Sequence, residues 1–307
     1  MDDIFGLLKG VVLMTIAWIK GSFMVFMPKN MRNKDVSKDI VLITGGGNGI
    51  GQIVATKFAK LGSTVVIWDL NEAGMKKTAE DIKKIGGRCH TFVCDVSSRE
   101  QVYEVAQRVK EEVGVVSILM NNAGIVNGKR LLKLDDEKIL KTFGVNTLSH
   151  FWTAKAFLPD MMSKNKGHII TVSSIAGLSG GCNLSDYSAS KFANIGFEES
   201  LRYELKTDGY DGIVSTMVCP WFINTGLFAG VKSEVIPFLE PEYVANKIID
   251  GVLINQEVIL IPRMLYFLYF LKSFLPVKSM FEMLILLKGN HAMDTFVGRN
   301  GVKSKDN

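Results

Sequence analysis

The chain has 307 residues, 47% hydrophobic and 22% charged, enough for one large domain with appendages or for two small domains. Net charge is +5, but acidic and basic residues are interspersed through the middle, and no long basic run or basic–aromatic stripe points to nucleic acid. Cys89, Cys94, Cys182 and Cys219 show neither CxxC pairing nor a His at metal-ligand spacing, which argues against a disulfide framework and against a zinc site.

The hydrophobic excess gathers near residues 4–27 and again near 264–287, leaving an ordinary soluble composition between them. Residues Ile4–Met27 have the length of a membrane span, but Lys9 and Lys20 interrupt them, and a charge at bilayer depth is costly unless it snorkels. Asp2 and Asp3 stand where a cleaved signal peptide has its basic start. The segment therefore reads as a signal-anchor helix or as a helix lying in one leaflet, with a soluble amphipathic helix as the alternative. Lys29, Arg32 and Lys34 follow Pro28, and a basic flank there leaves the rest of the chain on the cytosolic side.

From Asp39 the pattern changes. Ile40-Val41-Leu42-Ile43 is a continuous apolar run, as expected of a strand buried on both faces of a parallel sheet. It enters Thr44-Gly45-Gly46-Gly47-Asn48-Gly49-Ile50-Gly51, then a helical pattern through Leu61, then a second apolar run, Thr64–Trp68, that ends in Asp69. Such an order of strand, glycine-rich turn, helix, strand and acid suits a dinucleotide. Gly45 permits the tight turn, Gly49 lets backbone approach a pyrophosphate, and Gly51 lets the helix pack close to the strand. The helix N-terminus, entered through Asn48 and Ile50, offers N–H groups and partial positive charge to phosphate. Asp69 lies 18 residues after Gly51, near the spacing of the acid that binds a ribose 2′-hydroxyl. Its charge repels a 2′-phosphate, and no Arg or Lys sits in the loop or directly after it, so NAD is favoured over NADP.

The pattern recurs. Cys89–Val93 leads to Asp95-Val96, Val116–Met120 to Asn121-Asn122-Ala123-Gly124, and His168–Val172 to Ser173-Ser174, with helical stretches between. Alternating strands and helices predict an α/β fold, a doubly wound parallel sheet of Rossmann type with ligands at the carboxyl ends of its strands. No linker divides residues 39–262, which read as one domain flanked by residues 1–38 and 263–307.

Tyr187-Ser188-Ala189-Ser190-Lys191 opens a helical stretch through Leu205, placing Tyr187 and Lys191 one turn apart on one face. A phenol titrates near ~10; an adjacent ammonium, together with oxidised nicotinamide, favours phenolate. Tyr187 then takes a proton from an alcohol, or returns one to a carbonyl, while hydride moves. Ser174, or its neighbour Ser173, ends a strand where it can hydrogen-bond the substrate oxygen. Met264–Leu287 is apolar and aromatic but divided by Lys272, Pro276 and Lys278. It reads as an interfacial helix pair, as the wall of a pocket for greasy molecules, or as buried core. His90, His150, His168 and His291 are scattered and read as structural.

Residues 39–262 resemble a short-chain dehydrogenase/reductase, with TGxxxGxG at 44–51, NNAG at 121–124 and YxxxK at 187–191. The resemblance selects Ser174 over Ser173 and implies a tetrad of Ser174, Tyr187, Lys191 and Asn146, the Asn holding a helix distortion and a water linked to the lysine. It also implies cofactor contacts from Asp95, Val96, Asn122, Ala123 and Gly124, and from Pro220 to Thr225, whose threonine holds the carboxamide. Trp221 stands where the family usually has Gly, and it would line the substrate site, crowd the nicotinamide or simply pack in the core.

More narrowly, Pro220-Trp221-Phe222-Ile223-Asn224-Thr225-Gly226, the apolar N-terminus and the Leu-Tyr-Phe-Leu-rich end before His291-Ala292-Met293-Asp294 resemble the epidermal retinol dehydrogenase subgroup, close to 17β-hydroxysteroid dehydrogenases of lipid droplets. This resemblance implies NAD-dependent oxidation of all-trans-retinol to all-trans-retinal. It also implies a chain held on the endoplasmic reticulum membrane or a lipid droplet with its catalytic domain in the cytosol, and a homodimer formed through the helices of Asn146 and Lys191. A steroid or other lipid alcohol is the alternative substrate, and a non-catalytic membrane scaffold the alternative role.

Overall fold

The structure, a computed structural model, describes residues 2–26 and 33–299. They form two compact units divided after Asp35. Lys29 and Arg32 of the basic flank and the polar tail from Asn300 lie outside the described residues.

The first unit is helix α1, Asp2–Phe26, with Phe5, Leu7, Val11, Met14 and Trp18 all exposed. Among the described residues no helix is long and apolar enough to cross a membrane.

The second unit is built on seven strands: β1 (Ile40–Thr44), β2 (Thr64–Asp69), β3 (Arg88–Val93), β4 (Ile118–Asn121), β5 (Gly167–Val172), β6 (Ile213–Pro220) and β7 (Val258–Ile261). All pair in parallel, in the order β3-β2-β1-β4-β5-β6-β7. The connecting helices are α2 (Gly49–Lys60), α3 (Glu72–Lys84), α4 (Arg99–Glu112), α5 (Asp136–Phe143), α6 (Ser149–Ser163), α7 (Ser185–Thr207) and α8 (Pro241–Leu253). Two more, α9 (Met264–Phe274) and α10 (Val277–Leu286), follow the last strand.

Alternation along each strand feeds two cores. Val41 and Ile43 pack with Val54 and Phe58 of α2 and Val244 and Ile248 of α8. Leu42, Val66 and Trp68 face the other way, onto Val102 and Val105 of α4 and Phe157 and Met161 of α6. With both faces covered, the central strands β1 and β4 are buried but for the first residue, Ile40, as an all-parallel sheet requires. The doubly wound Rossmann-type sheet expected from the sequence is the fold observed.

Chain direction reverses between β1, which leads outward through β2 and β3, and β4, which starts the other half of the sheet. The carboxyl ends of β1 and β4 therefore flank a crevice that no helix fills, where open α/β sheets bind their ligands. One irregularity borders it: between α5 and α6 the helix widens into a π turn, Gly144–Leu148.

Candidate active site

The glycine loop closes tightly. Gly45 adopts φ +68°, and a Cβ on Gly51 would stand 2.3 Å from the Gly45 carbonyl oxygen, so only glycine allows the first turn of α2 to fold back over the loop. Asn48 caps that helix, its Oδ1 accepting from the Gly49 N–H at 2.7 Å. Thr44 Oγ1 accepts from the N–H groups of Asn122 (3.0 Å) and Ala123 (3.1 Å), and Asn122 Nδ2 donates to the carbonyls of Thr44 (2.9 Å) and Gly45 (3.2 Å). The loop after β1 is thus clipped to the end of β4, and the N-terminus of α2 faces the crevice with its partial positive charge.

Two acids frame the same opening. Asp69, at the end of β2, accepts from Gly47 N–H through Oδ2 and from Asn71 N–H through Oδ1, each at 2.9 Å. Asp95 accepts from Ser97 and from Lys141 Nζ at 2.8 Å. Its burial raises the carboxyl pKa, but the bonds from Lys141 and Ser97 outweigh this and leave it below the usual value. Gly45, Asn48, Ile50, Asp69, Asp95, Val96, Asn122, Ala123, Gly124, Pro220 and Thr225 all line one cavity of about 430 Å³, together with Ser174, Tyr187 and Lys191. The cradle fits a dinucleotide: a helix terminus for the diphosphate, a loop that excludes every Cβ at Gly51, and carboxylates positioned for hydroxyl and amine donors. Gly49 and Gly51 lie in the first turn of α2 and are not among the residues that line the cavity.

The four tetrad positions converge. Ser174 caps a short 3₁₀ turn, its Oγ accepting from Ala176 N–H at 3.1 Å, and its hydroxyl favours the Tyr187 phenolate. Ser173, which also lines the cavity, donates its hydroxyl to the Lys191 carbonyl at 2.8 Å. Lys191 Nζ donates to the Val172 carbonyl at 2.8 Å and lies 5.7 Å from the centre of the Tyr187 ring. Asn146 is wholly buried; its Oδ1 accepts from Ile125 N–H (2.8 Å), and its Nδ2 donates to Ile125 O (2.9 Å) and Ser190 Oγ (3.0 Å). These bonds tie the π turn to the segment after β4, and π turns of this kind accompany functional sites.

Burial dominates the titration of this group. It pushes the Tyr187 phenol up to about 12, against the opposing effect of Ser174, and pushes Lys191 down to about 8. Desolvation of the phenolate is the largest influence on the phenol and runs against its losing a proton at neutral pH. His150, wholly buried, is pushed down to about 3 by burial and stays neutral.

Trp221 is half-buried and lines the cavity, packing edge-on against Phe222 at 5.2 Å. Its indole N–H donates to Ser233 Oγ (3.0 Å) and Ile236 O (3.2 Å), so the residue in place of the usual Gly tethers the loop after β6. The far wall is apolar: Leu265, Leu268 and Tyr269 of α9 and Met280, Met283 and Leu284 of α10. Opposite faces of those helices expose Phe267, Phe270, Phe274, Phe281 and Leu286.

Pattern and spacing offered the pocket wall as one reading of Met264–Leu287, and the cavity takes that lining from α9 and α10; they had not marked Lys141 or Arg299 as cavity residues. Each reaches the crevice from a separate element, and a lone basic residue far from a motif carries no signal of that destination.

Comparison with known proteins agrees with this geometry. The short chain dehydrogenase family matches residues 39–235. Human epidermal retinol dehydrogenase 2 is 47% identical over 278 residues, covering 89% of this chain and 90% of that protein. Human estradiol 17-beta-dehydrogenase 11 is 44% identical over 276 residues, covering 90% and 91%. Among solved structures, a short chain dehydrogenase/reductase from Burkholderia phymatum in complex with NAD superposes with a TM-score of 0.69 at 26% identity, covering 76% of this chain and 92% of that one. With the motifs, the seven-stranded sheet and these relatives in agreement, the chain belongs to the short-chain dehydrogenase family and is an oxidoreductase.

Proposed function

We propose that the chain is an NAD-dependent dehydrogenase of an apolar lipid alcohol, with all-trans-retinol oxidised to all-trans-retinal as its first-choice reaction. The observation that carries this reading is the shared cavity. Ser174 and Tyr187 meet across it from the glycine cradle, and the remaining wall is the apolar face of α9 and α10. An elongated hydrocarbon suits that wall, and a single hydroxyl suits the polar end.

The chain's own residues do the following. Ser174 donates to the substrate oxygen and holds it beside Tyr187. Tyr187 takes the hydroxyl proton; a nicotinamide held by the cradle and the segment from Pro220 to Thr225 would supply the hydride acceptor, and its positive charge would favour the phenolate. Lys191, tied to Val172 and largely protonated at neutral pH, holds the ribose and stabilises the phenolate. Asn146 keeps the π turn and the backbone of Ile125 in register beside the lysine. Asp69 accepts from a ribose hydroxyl and disfavours a 2′-phosphate. Thr225, in the segment after Pro220, binds the carboxamide.

A steroid alcohol is the second reading, favoured by the 44% identity with estradiol 17-beta-dehydrogenase 11. Attachment to the endoplasmic reticulum membrane or to a lipid droplet is supported by the exposed apolar side chains of α1, α9 and α10. A homodimer is supported by Leu148, Phe151 and Phe192, which stand exposed around the helices of Asn146 and Lys191.

The test is NADH formation by the membrane-bound protein with retinol and with estradiol, reported as kcat/KM for each, beside Tyr187→Phe. Retinol turnover that Tyr187→Phe abolishes, with NADH still bound, is the expected result. Undiminished turnover in that variant refutes the mechanism, and preference for estradiol reassigns the substrate.

A further inference from the structure

The last described stretch of the chain is seated on the cavity by its backbone. Ala292 O accepts from Lys232 N–H at 2.9 Å, and the N–H groups of Val297 and Gly298 donate to Ala229 O at 2.8 and 3.1 Å. Thr295 Oγ1 donates to Gly230 O at 2.5 Å. The Phe296 ring fills a notch over Gly128, where a Cβ would come within 2.1 Å of it. A strap is thereby laid across the loop after β6, and it delivers Arg299 to the glycine cradle. The guanidinium Nη2 stands 3.5 Å from where a Cβ of Gly49 would be, beside Thr225, and the Arg299 stem passes Gly226. Desolvation there lowers the guanidinium pKa, opposed by attraction to the Asp69 carboxylate. Asp69 and Arg299 are 230 residues apart in sequence.

We propose that Arg299 is a cofactor-binding residue: carried on the 292–299 strap, its guanidinium holds the diphosphate of the dinucleotide from the side opposite the N-terminus of α2. The assignment to diphosphate follows from position. Gly49 opens the helix whose amides and dipole receive phosphate, and a guanidinium over that point completes a two-sided anion clamp of the kind Arg forms with phosphate oxygens. The strap also joins the loop after β6 to the cradle, so seating of the nucleotide and seating of residues 226–232 are coupled. This proposal rests on the dinucleotide reading of the cradle given above.

The experiment is equilibrium titration of the full-length protein with NADH, NADPH, ADP and adenosine, followed by nucleotide or protein fluorescence. It compares wild type with Arg299→Gln and Phe296→Ala. Loss of one charge-assisted contact at a partly exposed site raises Kd by about tenfold. Arg299→Gln is expected to weaken NADH, NADPH and ADP by a similar factor and to leave adenosine unchanged. Phe296→Ala, which loosens the strap without removing the charge, is expected to weaken the same three ligands by less, with no further loss when combined with Arg299→Gln. Unchanged NADH and ADP affinity in Arg299→Gln overturns the proposal, as does a loss confined to NADPH, which would move the guanidinium to a 2′-phosphate. Wild type that binds none of the dinucleotides would instead refute the cradle reading itself.

Discussion

Lys191 makes the sharpest test of how the site is paid for in stability. Its side chain is 3% exposed and its ammonium is pushed from 10.5 down to about 8 by burial. A base whose folded pKa lies below its unfolded one binds fewer protons when folded, so its contribution to stability grows as pH rises from about 8 to 10.5 and is unfavourable below 8. The shift of 10.5 to about 8 corresponds to about 3 kcal/mol at neutral pH, at about 1.4 kcal/mol per unit.

Lys191→Met removes that burden and also strands the Val172 carbonyl, which Lys191 now reaches at 2.8 Å; that cost is about 1–3 kcal/mol but does not depend on pH. The difference in unfolding free energy between variant and wild type therefore moves with pH by an amount that reports the lysine alone. Urea unfolding of both proteins at pH 7 and pH 10, without added nucleotide, is expected to show the variant gaining about 2–3 kcal/mol relative to wild type at the lower pH. Cys89 and Cys94, each pushed up to about 12 by burial, also make stability pH-dependent, but they are common to both proteins and largely cancel. Cys219, likewise pushed up to about 12, is drawn down by the Lys191 charge, and losing that charge only keeps its thiol protonated in the folded protein at both pH values. A pH-independent difference would refute the claim that burial of this ammonium is costly, and with it the account of Lys191 as a group held charged by its function.

Asn146→Ala should unfold at lower urea by about 2–4 kcal/mol, because Ile125 N–H, Ile125 O and Ser190 Oγ lose a partner in a buried place; wild-type stability would show that the π turn does not depend on this side chain. Trp221→Phe keeps the ring but removes the indole N–H that holds Ser233 and Ile236. Its expected signature is faster proteolytic cleavage within residues 232–238 and a raised KM for the lipid alcohol, with NADH affinity unchanged; a change in NADH affinity alone would place the indole at the nicotinamide instead.

Much of the sheet was legible because each buried parallel strand must be apolar on both faces. Ile40–Ile43 and Thr64–Trp68 announced themselves, and the turns that follow them carry glycine or acid for reasons local to the chain. Tyr187 and Lys191 were legible for a similar reason, since helical spacing alone puts them on one face. The difference between Ser173 and Ser174 was not local: the structure commits the Ser173 hydroxyl to the Lys191 carbonyl of α7 and leaves the Ser174 hydroxyl on the turn that follows β5, at the cavity. The height of the Tyr187 pKa was equally out of reach, because sequence spacing reports the neighbouring ammonium and not the depth of burial.

The chain by itself determined the alternation of strand and helix, the glycine cradle with its acid, and the phenol–ammonium pair, all of them consequences of periodicity and short-range backbone geometry. Only the tertiary structure decided that the apolar end closes the cavity through α9 and α10, that Lys141 pairs with Asp95, and that Arg299 returns to Gly49. Those meetings join segments tens to hundreds of residues apart. Their partners are chosen by how the helices and the terminal strap pack on the finished sheet, and no spacing along the chain encodes that choice.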